Sequence, residues 1–188
     1  MKWWKKNGVY NMKYLKVMFG ETSDAGGFKY KIDEVNETNN WNPNANNPKE
    51  MGGFNFSTED KIFRWLVRGD TIYDVELPED AEVIDCPSEA APHGVFRSNK
   101  IIIKNPRKIT EDMVMDLYKK SDLPEKSYFK ALAGIAVRGY WNDVELVIRE
   151  KINNENKELA ISEIKDFIKP NESEESYDLY NEIIDLIK

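Results

Sequence analysis

The single histidine, His93, lies four residues before Arg97 in the run Pro92-His-Gly-Val-Phe-Arg97. An imidazole titrating near neutrality can take or give a proton, and a guanidinium can hold a phosphate or carboxylate. His93 can thus serve as a general acid or base, with Arg97 beside it to bind an anionic group. The competing assignment has His93 capping a turn and Arg97 pairing with a nearby carboxylate. No second histidine exists for a two-histidine phosphodiester mechanism or for a histidine metal set. The run Phe56-Ser57-Thr58 places two hydroxyls beside an aromatic ring. Trp41 stands alone among asparagines and prolines, where it can pin a loop to the core or offer a stacking platform to a ligand. Cys86, the only cysteine, is flanked by Asp85 and Pro87, neither of which favours a thiolate. The carboxylates Asp70, Asp74, Glu76, Glu79, Asp80, Glu82 and Asp85 crowd one stretch, but strand alternation spreads them over two faces. That pattern reads as a solvated edge, and no metal site is expected. The pairs Gly26-Gly27 and Gly52-Gly53 match neither a dinucleotide-binding fingerprint nor a phosphate-binding P-loop.

The elements that must position these groups follow from periodicity. Residues 12–19 alternate as a strand, and Phe28, Tyr30 and Ile32 alternate with Lys29, Lys31 and Asp33, so a hairpin is expected across the Gly26-Gly27 break. Residues 36–50 are too rich in Asn and Pro for a regular element. Gly52–Phe56 reads as a short strand. Ser57-Thr-Glu-Asp60 reads as the start of a helix running to about Arg68, with Ile62, Phe63, Trp65 and Leu66 inward and Gly69 as the stop. Thr71–Leu77 alternates as a strand with Ile72 and Asp74 on one face and Tyr73, Val75 and Leu77 on the other. A strand over 82–85, a loop over 86–98 and a β-branched strand over 99–105 complete this part. From Thr110 the period changes from two to about 3.6. Helices are expected over 110–120, 125–137, 140–153, 155–168 and 174–187, joined by short links that favour antiparallel packing. The fold class is therefore α+β: a small mixed or antiparallel sheet with one embedded helix, then an all-helical C-terminal appendage. The division is residues 1–11 as an extension, 12–109 as the α+β domain and 110–188 as the helical domain.

With 188 residues, 40% of them apolar and 12% aromatic, the chain can build a substantial core, while 32% charged residues keep its surface wet. One cysteine allows no intrachain disulfide and fits a reducing compartment. No run approaches the roughly 18–20 apolar residues that span a bilayer, and no signal-peptide pattern follows Met1, so the expected location is cytoplasmic, with no membrane partner. The net charge of −7 is unevenly placed. Residues 111–188 carry 18 acidic and 11 basic side chains, against 16 and 13 in residues 12–110. The only basic cluster beyond Lys2, Lys5 and Lys6 is Lys100, Lys104, Arg107 and Lys108, so direct nucleic-acid binding is disfavoured apart from that patch. The acidity can simply keep a small protein soluble, or an acidic helical surface could sit against a basic nucleic-acid-binding groove on another protein or ribonucleoprotein.

Three runs, Gly52–Asp60, Gly69–Val83 and Asn99–Ile103, together resemble the strand–helix–strand–strand order of small ADP-ribosyltransferase-like domains, and also a group of uncharacterised proteins of phages, AT-rich bacteria and large viruses. The resemblance covers about residues 12–105. For an enzyme it would imply NAD as cofactor in a cleft, with an early-strand His or Arg, an aromatic or Ser-Thr-Ser strand, and a catalytic Glu near a later strand. Phe56-Ser57-Thr58 matches the second feature. Residues 16–20 lack the first, and residues 97–100 lack the Glu, leaving Glu89 as a substitute from upstream. Such transfer needs a carboxylate on the ribose to stabilise its cationic transition state. The incomplete set leads to the expectation of a non-catalytic, cofactor-free binding protein of phage or mobile-element type that inhibits a host macromolecular complex, for example an anti-CRISPR-type or other anti-defence inhibitor. The alternatives are an ADP-ribosyltransferase-like or other nucleotide-handling enzyme, and a ribonuclease-like effector using His93 and Arg97.

Overall fold

In the strand β1 (Tyr14–Met18), Leu15 and Val17 point to one face of a sheet and Tyr14, Lys16 and Met18 to the other. The computed structural model describes residues 12–22, 27–45, 48–86 and 93–188. Around β1 the chain builds β2 (Val35–Glu37), the one-turn α1 (Pro48–Met51), β3 (Phe54–Thr58), a 3-10 helix (Ile62–Arg68), β4 (Thr71–Glu76), β5 (Val83–Asp85), β6 (Val95–Ser98) and β7 (Lys100–Lys108). Five longer helices follow: α2 (Glu111–Lys120), α3 (Glu125–Val137), α4 (Trp141–Lys151), α5 (Lys157–Ile168) and α6 (Glu174–Ile187). The strands form one seven-stranded sheet in the order β2-β7-β4-β1-β3-β6-β5, every named pairing antiparallel, and β1 occupies its centre. The fold is α+β, with the C-terminal helices after the sheet.

Each sheet face has its own core. Leu15, Val17 and Ile72 join Ile62, Phe63 and Leu66 of the 3-10 helix and the apolar faces of α2–α6. Phe129, Leu132 and Ile135 of α3 are fully buried at the centre of that layer. On the opposite face Met18, Tyr30, Phe54, Phe56, Tyr73, Val75, Ile101 and Ile103 form a second cluster rich in rings. Phe56 and Phe96 stack at 5.5 Å between centroids, and Tyr14 meets both edge-on at 5.3 and 5.4 Å. Gly69 lets the 3-10 helix return against β1: a Cβ there would sit 2.1 Å from the Met18 carbonyl carbon. The period change at Thr110 coincides with the start of α2, where the threonine side chain accepts the Met113 N–H.

Several local expectations are corrected. Ser57 and Thr58 end β3 instead of opening a helix, and the helical residues begin only at Ile62, as a 3-10 turn. Both hydroxyls face the carbonyl of Gly94 across the sheet, so they serve pairing between strands and not a helix cap. Phe28–Ile32 makes isolated bridges, Thr22 to Lys29 and Ile32 to Ile103, in place of a regular hairpin strand. Residues 95–98, expected as loop, form β6, because Phe96 and Ser98 find partners in Phe56 and Phe54. The extension expected at residues 1–11 lies outside the described residues.

The carboxylates read as a solvated edge meet the basic cluster of β7. Arg107 holds Asp74 through two hydrogen bonds of 3.1 and 2.6 Å; Lys108 meets Asp70 at 2.8 Å, Lys104 meets Glu76 at 2.8 Å, and Lys100 meets Asp80 at 2.6 Å and Glu37 at 3.1 Å. Asp74 and Glu76 on β4 and Glu37 on β2 match cations across neighbouring strands, while Asp70 just before β4 and Asp80 in the turn after it reach the two ends of β7. Each cation of the basic cluster considered for nucleic-acid binding is thus paired internally. Among the described residues no group of three or more His, Cys, Asp or Glu side chains could hold a metal, and no helix is long and apolar enough to cross a membrane.

Candidate functional site

The residues singled out for chemistry gather along β3, β6 and β5, at one end of the sheet. Glu89 lies outside the described residues. Phe56 is buried in the ring cluster. Ser57 donates to the Gly94 carbonyl at 2.7 Å, and the same oxygen accepts the Thr58 N–H at 3.0 Å. Gly94 must remain a glycine for this approach: its φ is +82°, and a Cβ would lie 2.5 Å from the Thr58 hydroxyl. His93 is 85% exposed, with Nδ1 3.4 Å from Oδ2 of Asp85. Trp41 donates its indole N–H to Glu82 at 2.7 Å and packs so closely on Gly53 that a Cβ there would fall 2.6 Å from the ring. This contact ties the 38–45 loop to the sheet. Cys86 sits with its sulfur 3.6 Å from that of Met51, and burial raises its thiol pKa, outweighing the opposing field of Arg97.

Arg97 occupies the middle of this group. It faces Asn55 across the β3–β6 ladder and donates Nη1 to the Gly52 carbonyl at 2.6 Å. No carboxylate among the described residues pairs with it. Beside it lies a residue not singled out from the sequence: Lys16, on the central strand, is 4% exposed. Its ammonium donates to the backbone carbonyl of Asn55 at 2.6 Å and to the Asn55 side-chain oxygen at 2.7 Å, and lies 5.2 Å from the centre of the Tyr30 ring. Burial first and the Arg97 charge second lower its pKa to about 7. Buried lysines are costly unless paired, and this one too has no carboxylate partner among the described residues. One exposed asparagine thus receives a buried cation from below and opposes a half-buried cation beside it.

Lys16 carried a weak signal in the sequence, since it alternates with Tyr14 and Met18 on what must be one face of a strand. Recognising it as buried requires knowing that β1 is central and that residues 27–32 cross that face. A shallow recess of about 230 Å³ lies elsewhere, lined by Met12, Lys13, Thr58, Glu59, Asp60 and Lys120. Its charges are matched: Glu59 meets Lys13 at 3.2 Å and Lys120 at 3.3 Å. It brings together only Thr58 of the predicted residues. Comparison with protein-family models, with curated proteins and with solved structures returns no match to this chain.

Proposed function

We propose that the chain is a binding protein that seats the acidic outer face of α6 on a basic surface of a host macromolecular complex, blocking a groove meant for nucleic acid. The observation that carries this reading is the charge pattern of α6. Glu174, Glu175, Asp178, Glu182 and Asp185 are all exposed on it, and helical spacing gathers them into one stripe opposite the buried Ile183, Ile184 and Ile187. Asp185 pairs with Lys188 at 2.8 Å, and the other four have no ion-pair partner among the described residues. Tyr177 and Leu186, 55% and 42% exposed, flank the stripe. Such aromatic and aliphatic groups supply the apolar contact that charge complementarity alone lacks.

The reading is tested by capture of tagged protein from host lysate, comparing wild type with a variant carrying Glu174→Lys, Asp178→Lys and Glu182→Lys. A partner retained by wild type at about 0.1 M salt, weakened at about 0.5 M, displaced by nucleic acid and lost in the charge-reversed variant supports it. A partner held equally by both proteins refutes the assignment to α6.

A further inference from the structure

The pair formed by Lys16 and Arg97 is left over from everything above. The cations of β7 are each neutralised by a neighbouring carboxylate, whereas among the described residues these two have only uncharged acceptors. Lys16 sits beneath Asn55, whose carboxamide oxygen is turned to it, so the amide N–H donors of Asn55 are left for a group arriving from solvent. Arg97, opposite Asn55 in the β3–β6 ladder, uses one N–H on the Gly52 carbonyl, and its guanidinium carries further N–H donors. We infer that Asn55 and Arg97, with the ammonium of Lys16 behind them, form a binding site for the phosphate group of a small molecule. Two positive charges and an amide donor match a dianion better than a single carboxylate, and guanidinium–phosphate geometry allows two parallel hydrogen bonds.

The site couples to protons. A dianion over Asn55 favours the charged form of Lys16, whose pKa of about 7 in the free protein means that binding draws up a proton near neutrality. Affinity therefore falls as pH rises through and above 7. Among the described residues, the other titratable groups around the site are Tyr30, whose ring centre lies 5.2 Å from the ammonium, Tyr73 opposite Lys16 on β4, Glu82 bonded to Trp41, and Asp85, His93, Cys86 and Tyr14. Asp85 and His93 face each other at 3.4 Å, and the thiol and the Tyr14 phenol both have raised pKa values and stay neutral there.

The test uses the full chain with inorganic phosphate, and with sulfate as a tetrahedral dianion that does not itself titrate near neutrality. Amide chemical shifts are followed by NMR, and proton uptake by calorimetry in two buffers. The expected result is saturable shifts centred on Asn55 and Arg97, with affinity reduced about tenfold or more in Arg97→Gln. Sulfate binding should weaken from about pH 6 to about pH 8.5 in wild type and lose that dependence in Lys16→Met. A second variant tests the same idea without a binding defect caused by misfolding. Asn55→Asp places a carboxylate against both cations, and should abolish anion binding while raising the melting temperature at neutral pH. Shifts that do not saturate, that map elsewhere, or that survive Arg97→Gln overturn the site. So does an Asn55→Asp protein that still binds phosphate or is less stable than wild type.

Discussion

Asp143 provides the sharpest check on the energetics of this fold. It is the third residue of α4, 1% exposed, and among the described residues neither carboxyl oxygen has a hydrogen-bond partner. Burial, followed by the fields of Glu111 and Asp112, raises its pKa to about 6. The helix N-terminus opposes this without reversing it. The raised value means that the folded chain binds the proton more tightly than the unfolded chain. The contribution of Asp143 is therefore most favourable below about pH 4, is lost as pH rises towards 6, and is fully lost above it. A shift of about two units corresponds to about 3 kcal/mol. Asp143→Asn keeps the shape and removes the charge. Its own unsatisfied amide costs a similar amount at every pH, so the diagnostic quantity is how the mutational effect changes with pH. Urea unfolding at about pH 4 and about pH 7.5 should show the variant gaining about 2.5 kcal/mol relative to wild type between the two, or roughly 5–10 °C in melting temperature. Carboxylates common to both proteins cancel in this difference. An effect equal at both pH values would refute the claim that an ionised, unpartnered carboxylate is held in this core.

Two further substitutions probe local geometry. Gly69→Ala should cost at least about 3 kcal/mol in urea unfolding, because its Cβ collides with the backbone of Met18 and no side-chain rotation relieves it; a loss under about 1 kcal/mol would mean the 3-10 helix does not press on β1 as described. Thr110→Ala should cost about 1 kcal/mol through loss of the bond to the Met113 N–H, read in the same assay, and Thr110→Ser should recover most of it.

Elements whose periodicity repeats over many residues were legible in the chain itself. The five long helices, the hydroxyl cap at Thr110, and the division of β4 into an Ile72 face and a Tyr73–Val75 face all follow from spacing that folding preserves. Ser57, Thr58 and β6 are not legible locally, because their conformation depends on distant partners: Gly94 for the hydroxyls, and Phe54 and Phe56 for β6. Strand pairing is a long-range choice, and a four-residue segment has too little local preference to announce it.

Composition and order determined the fold class, the placement of acidic charge on the last helix and the lack of any second histidine to work with His93. Tertiary structure alone decided what each charged group became. The basic cluster of β7 was neutralised because β4 and β2 lie on either side of it, and Lys16 was stripped of water because its strand ended up at the centre of the sheet. A side chain's type sets the chemistry it can do. Its partners and its access to water set the charge it carries, and those are properties of the assembled sheet.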